Sequence, residues 1–398
     1  MASPSSKKFS TFLGKNERLS RSDLQIKEGL YVADAKNVDI ALPGRFMGRR
    51  GYAKVVPGTN MHSLWVSGTG RALVVSAGQL CALDVRSKQL HPLDFAVPHS
   101  ATLAYTDLPD GDIAVTDGRT MARIKPDNSV AAMIAPAPSP TPVATADVGN
   151  FSYLYCFAYV DALGVVGLCT QPQTIVGGTV QFDVPVPPAG LRTQIYVSHP
   201  NGEVMYLDAQ SSGGVHHVDE SRLGGECLTL HKQALMPGNA LGLHGGRLYA
   251  VRGHAIYYSQ PYHFGVMAPS NFIAFAAPVT VFAPMPGGCF GVADKTYWLQ
   301  GGDPATAELL VVNEHVGIAR SLARLPDGRA VWGSSQGIVV GNGAGEVASL
   351  TDAVVPAQRV LPGTTGATLR VERNGVDQII SKRQHPGYGR AGVTMEAE

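Results

Sequence analysis

The sequence predicts an all-β chain, a β-propeller interrupted by an inserted β-sandwich. Two observations carry this: a hairpin that recurs about every 40 residues, and one gap in the recurrence that is far too long. Six strand–turn–strand runs begin at Gly70 (GRALVVSAGQLCAL), Gly111 (GDIAVTDGRTMARI), Gly246 (GRLYAVRGHAIYYS), Gly288 (GCFGVADKTYWLQ), Gly328 (GRAVWGSSQGIVVG) and Ala367 (ATLRVERNGVDQII). Where the series is unbroken, the starts lie 41, 42, 40 and 39 residues apart, the length of one propeller blade. The 135 residues from Gly111 to Gly246 are one period plus about 94 more, measured against that repeat.

Taken in order, residues 1–28 read as an N-terminal arm rich in Ser, Lys and Arg with no sustained apolar period. The first part of the propeller is expected over 29–134. It opens with NVDIALPGRFMGRRGY, a strand, a Pro-Gly turn and a second strand. Next, Leu73, Val75, Leu80 and Ala82 alternate as a half-buried antiparallel pair does. Asp110-Gly111 and Asp117-Gly118 are strong hairpin signals, because such turns need positive φ. The Pro/Ala run APAPSPTPVATADVG at 135–149 reads as an extended linker.

Beyond it the spacing changes. Residues 150–231 hold strand patterns 8 to 15 residues apart, including YLYCFAYVDALGVVG and LRTQIYVSHPNGEVMYLDA, which predicts a small β-sandwich. The propeller resumes over 232–380, and 381–398 reads as a polar, peripheral tail. An insertion between blades is tolerated, since connecting loops run over the surface.

Composition narrows the function. Charged residues make up 16% of 398 and the net charge is +1, so no partner held by bulk charge is implied. Forty-six glycines and 27 prolines without a collagen period suit many short strands and turns. No apolar run approaches the roughly 20 residues of a membrane helix, so no membrane anchor is expected. The polar start lacks the apolar centre of a secretory signal, and synthesis and folding in a cytoplasm are expected. Cys81, Cys156, Cys169, Cys227 and Cys289 are odd in number, contain no C-x-x-C pair and sit in apolar stretches. They read as small buried hydrophobes, not as disulfides or metal ligands.

Catalytic constellations are not legible, and the chain reads as a non-enzyme without cofactor or metal. Ser334-Ser335-Gln336-Gly337 lacks the Asp and Trp of sialidase turns, and Gly341-Asn342-Gly343-Ala344-Gly345 lacks the lysine of a phosphate loop. Adjacent His216 and His217 on a strand face opposite ways, and Glu314, His315 and His254 stand as lone groups. Asp110, Asp117, Asp161, Asp303 and Asp327 are not at calcium-loop spacing, so turn chemistry accounts for them.

Several segments together resemble the short-tail nozzle (tail tubular B) proteins of podovirus-type bacteriophages. They are Asn37-Val38-Asp39-Ile40 with Gly44-Arg45-Phe46 and Arg49-Arg50-Gly51-Tyr52, without the family's usual proline before the last glycine, and Phe157-Ala158-Tyr159-Val160-Asp161 with Gly164. Gly246-Arg247-Leu248-Tyr249, then Ile256-Tyr257-Tyr258-Ser259 and Pro261, follow, and Thr296-Tyr297-Trp298-Leu299 with Gly301-Gly302-Asp303-Pro304 completes the set. The likeness runs in order from residue 37 to about 345. It implies a propeller with an inserted fibronectin/Ig-like sandwich, and a virion component in a ring, usually of six copies. That ring would lie below an adaptor and enclose the channel through which phage DNA leaves.

Partners implied are copies of itself, adaptor or other tail proteins, and phage DNA passing without sequence-specific binding. Lys7, Lys8, Arg45, Arg49 and Arg50 are the candidate partner or channel contacts. Contact with another tail protein is favoured over DNA, because neutralised phosphates would grip the cargo that must be ejected. The alternative is a carbohydrate-binding or host-recognition propeller of the virion. It calls for aromatic platforms and paired carboxylates, where the inner strands hold Ala, Val, Leu and Gly. A cytoplasmic propeller scaffold would keep the fold and change only the partner.

Overall fold

Runs of five or so β-formers separated by Gly, Asp and Asn turns pair most readily with their sequence neighbours, and meanders result. The computed structural model describes residues 56–98 and 101–351 throughout, together with short pieces outside them. Five sheets each contain four strands paired in chain order. The first is His62–Val66, Ala72–Ser76, Gln79–Asp84 and Gln89–Ala96. The second is Ala104–Asp107, Ile113–Thr116, Met121–Ile124 and Val130–Ala132, and the third is Ala240–His244, Arg247–Arg252, Ala255–Tyr258 and Phe272–Ala274. The fourth is Val281–Met285, Gly288–Val292, Thr296–Gln300 and Leu309–Asn313, and the fifth is Ala323–Arg324, Ala330–Ser334, Gly337–Gly341 and Val347–Ser349. Repeated four-stranded meanders are the blades of a β-propeller.

Each hairpin read from the sequence between Gly70 and Gly328 is the central pair of one blade. The second strand of a blade is its most buried: Ala72–Ser76, Ile113–Thr116, Gly288–Val292 and Ala330–Ser334 are buried at every position. A strand covered on both faces carries a continuous apolar run instead of an alternating one, which is why ALVVS and AVWGS show no polar face. The Ala367 run becomes Thr368–Arg373 paired with Val376–Lys382, and Val38–Ala41 pairs with Arg45–Gly48 as expected.

Three expectations need correction. The arm at 1–28 contains Phe12–Lys15 and Gln25–Ile26, which pair with Gly29–Val32 in a three-stranded sheet; these strands are too short to show a period. The linker at 135–149 contains Val143–Ala146, which pairs with Val180–Val184. The inserted module therefore starts before residue 150, and VATA alternates as an edge strand does. The tail at 381–398 contains Met395–Ala397, which pairs with the end of Val376–Lys382.

The chain divides into two compact units, one of residues 1–102, 251–255 and 274–398, the other of 103–250 and 256–273. In the first unit the fourth and fifth blades share a core built on Phe290, Trp298 and Trp332. Phe290 lies 4.6 Å from the Trp298 ring and 5.3 Å from that of Trp332. In the second unit the second and third blades share a core of Leu108, Ala114, Met133, Leu235, Leu241, Leu248, Ala250 and Met267. Blades on either side of the long gap are thus packed neighbours.

Between them stand two further sheets. One orders Val143–Ala146, Val180–Val184 and Gly214–His217. The other orders Val166–Cys169, Phe151–Asp161, Leu191–Ser198 and Met205–Ser211, with Gln173–Gly177 also on Phe151–Asp161. Tyr153, Tyr155, Phe157, Phe182, Ile195 and Val197 from both sheets form one core, the arrangement of a β-sandwich. Phe157 meets Phe182 edge-on, at 5.1 Å and 87°. Among the described residues the helical content is one 3-10 turn, Glu220–Arg222, and no helix is long and apolar enough to cross a membrane.

Candidate functional site

Lys7, Lys8, Arg49 and Arg50 lie outside the described residues, and Arg45 opens a strand opposite Ala41. The structure instead brings together three residues that the sequence reading kept apart: Cys156, Cys169 and Cys227. Their assembly follows from strand parity. In Phe151–Asp161 the residues Tyr153, Tyr155 and Phe157 face the sandwich core, so Cys156 and Ala158 face outward on the same sheet. Ala158 is the register partner of Cys169, which therefore shares that outer face, one diagonal step from Cys156.

Cys227 arrives from a segment laid over this face. The segment is tied to the far edge strand: Gly224 N–H donates to the Leu207 carbonyl at 2.7 Å, Leu207 N–H to Gly225 at 2.9 Å, and Cys227 N–H to Met205 at 3.0 Å. Along the cover, Cys227 and Thr229 are buried while Leu228 between them is 75% exposed. The buried pair points at the sheet. Cys156, Ala158, Tyr196, Met205 and Cys227 form a small second core there.

All three sulfurs lie within 4.8 Å of one another, and Cys156 Sγ is 3.8 Å from Cys227 Sγ. The Thr229 carbonyl oxygen is 3.3 Å from Cys169 Sγ, and Thr229 Oγ1 is 3.9 Å from Cys227 Sγ. Sulfur so crowded can carry one negative charge, stabilised by S–H donation from its neighbours, but resists a second. Hydrogen bonds from Cys156 and then Cys227 pull Cys169 down to about 3. Cys156 is pushed up by donating to Cys169 and Cys227 and by burial. At Cys227 a bond with Cys156 lowers the value, but donation to Cys169 and burial outweigh it, to about 11. Cys81 and Cys289 behave as the isolated apolar thiols the sequence suggested, since burial pushes both up, Cys289 to about 12.

The other groups singled out from sequence resolve as local structure. Asp110, Asp117, Asp161, Asp303 and Asp327 each accept the backbone N–H two residues on, at 3.1, 2.8, 2.9, 3.1 and 3.1 Å, which is the Asx turn. Asn342 does the same for Ala344 and also takes Glu346 N–H, so the glycine run at 341–345 is a turn. Ser334 Oγ donates to the Gly337 carbonyl inside a hairpin. His216 Nε2 pairs with Asp208 Oδ2 at 2.5 Å, linking the two sheets, while His217 is exposed. Glu314 pairs with Lys295 at 2.8 Å.

Spacing could not announce the thiol cluster: intervals of 13 and 58 residues match no metal motif. Parity was the available signal, since the aromatic residues of FSYLYCFAYVD occupy alternate positions and put Cys156 on the opposite face. The cover segment was not available to such reasoning, because its contact with the sheet is tertiary.

No protein-family model matches the sequence, and no curated protein matches it. Among solved structures, the chain is similar to BBS1N in complex with ARL6DN, at 11% identity over 82% of this chain and 90% of that one, with a TM-score of 0.33. YCF48 from Cyanidioschyzon merolae is matched at 8% identity over 81% and 91%, with a TM-score of 0.30. XC5397 from Xanthomonas campestris, a gluconolactonase, is matched at 9% over 82% and 84%, also at 0.30. Likeness at this level carries no functional argument, and the propeller assignment rests on the blades themselves.

Proposed function

We propose that this protein is a structural component of a bacteriophage tail, a nozzle-like ring whose work is assembly and docking and not catalysis. One observation carries the reading: the nozzle-like segments occur in order along the chain, with the sandwich placed between two consecutive blades. Support comes from the packing of those two blades on each other across the long sequence gap. A ring of identical subunits needs only repeated modest interfaces, which act together once the ring closes. A net charge of +1 over 398 residues supplies no bulk attraction for DNA, which suits a channel wall that must not hold it. Residues 1–28 and Arg45, Arg49 and Arg50 are assigned to contacts with the neighbouring tail protein.

Sedimentation velocity on the purified full-length chain tests the reading. A closed species near six times 41.9 kDa is expected, and removal of residues 1–28 is expected to weaken binding to an adaptor ring. A chain that stays monomeric at every concentration and binds no other tail protein would overturn it.

A further inference from the structure

We propose that Cys156, Cys169 and Cys227 form a binding site for a thiophilic d10 cation, zinc in the first place, on the outer face of the inserted sandwich. Three separate segments supply one sulfur each: the central strand of the five-stranded sheet, its neighbour Val166–Cys169, and the covering segment after the Glu220–Arg222 turn. Zinc–sulfur bonds of about 2.3 Å place the sulfurs of a tetrahedral site about 3.8 Å apart. The Cys156–Cys227 separation is already 3.8 Å, and no pair exceeds 4.8 Å, so closure asks the sulfurs to draw together by about 1 Å or less.

Simple packing does not account for the arrangement. Apolar cores are filled by carbon side chains of complementary shape, and Cys81 and Cys289 show how this chain uses a cysteine for that purpose, alone in a blade. At the triad, by contrast, an oxygen set accompanies the sulfurs. The Thr229 carbonyl faces Cys169 at 3.3 Å and its hydroxyl lies 3.9 Å from Cys227, with Thr229 itself fully buried. Three soft thiolates with one oxygen donor, from Thr229 or from solvent, complete four-coordination for zinc, and a thiolate-rich set disfavours magnesium and calcium. Cys156 is fully buried and Cys227 nearly so, whereas Cys169 is only partly covered, which gives a path for entry.

The cation would act as a pin. The covering segment carries the chain from the last sandwich strand back towards Gln233–Ala234, which pairs with Val266–Met267 beside the third blade. Fastening Cys227 to two strands of the sheet fixes the point where the inserted module hands the chain back. Metal binding at the triad is independent of any role in a tail.

Cadmium is the probe for this site, because thiolate-to-cadmium charge transfer absorbs in the ultraviolet. Full-length protein, reduced and stripped with chelator, is titrated with cadmium chloride. The expected result is an absorption that saturates at one equivalent and is displaced by zinc. It is lost in Cys169→Ser and Cys227→Ser and retained in Cys81→Ser and Cys289→Ser. Without any substitution, iodoacetamide is expected to label Cys169 in the stripped protein and at least about tenfold more slowly after zinc is added, since ligation removes the free thiolate. Absence of a charge-transfer band, a band that survives both triad substitutions, or Cys169 labelling unchanged by zinc would each overturn the proposal.

Discussion

Aspartate at the first position of a tight turn is the recurring residue of this chain, and its chemistry sets how the protein meets acid. Ser87, Ser129 and Ser221 donate to Asp84, Asp127 and Asp219, and backbone N–H groups of Thr179 and Arg329 to Asp147 and Asp327; all five carboxyls are held below their ordinary 3.8. A carboxyl with a depressed folded value stabilises the fold fully above its unfolded value and loses that contribution as pH falls through the folded one. Asp112 works in the opposite sense, because burial raises it despite Arg123. At Asp117 burial raises the carboxyl, but donors from Thr120 and Arg119 outweigh it and hold it down as well. With six against one, the urea midpoint should fall steadily as pH drops below about 4, and a midpoint flat from there to about pH 2 would show that these carboxylate contacts do not hold in solution. Glycine supplies the second residue-scale prediction. A Cβ at Gly341 would sit 2.5 Å from Phe290 Cε2 and 2.9 Å from Trp332 Cη2, so Gly341→Ala should cost about 1–3 kcal/mol by overpacking. At Gly225 a Cβ meets nothing within 4 Å, and Gly225→Ala should stay within about 0.5 kcal/mol; chemical denaturation of both variants checks the pair.

Elements of two kinds divide the chain, and they were unequally legible. Blade hairpins announce themselves because turn and strands are contiguous, so Ala77-Gly78, Asp117-Gly118 and Asp327-Gly328 carry their own register; Gly78, Gly118 and Gly328 all take positive φ. Short elements paired with distant partners were not legible. Phe12–Lys15 pairs in parallel with Gly29–Val32, and Val143–Ala146 with Val180–Val184, partners that no local pattern names. The same division explains the candidate site. Cys156 and Cys169 share a face by strand parity, but Cys227 reaches them only because the 224–230 segment folds over the sheet.

For the whole molecule, the placement of the insert is the feature with consequences. The chain leaves the second blade at Met133 and Ile134 and rejoins at Leu235, and both points converge on Gly265. A Cβ there would lie 2.7 Å from Ile134 Cβ, and Leu235 N–H donates to the Gly265 carbonyl at 2.9 Å. A module whose ends meet can be removed at small entropic cost to the rest. Replacing residues 136–231 by a short Gly/Ser linker should therefore leave a protein that melts cooperatively with a β-type circular dichroism spectrum. Aggregation or loss of the cooperative melt would mean that the module stabilises the blades it separates.

Local chemistry alone determined the blades of this protein: Gly, Asp and Asn at turn positions and β-formers between them leave a segment little choice but to pair with its neighbour. Tertiary structure decided what long-range contact must decide. It settled which blades pack across the long sequence gap, which strand Val143–Ala146 pairs with, and that three cysteines spread over 72 positions share one face. The physical reason is range: hydrogen bonds and turn dihedrals act over a few residues and leave their mark on adjacent letters. The meeting of distant side chains is fixed by burial of whole surfaces, to which no short stretch of sequence bears witness.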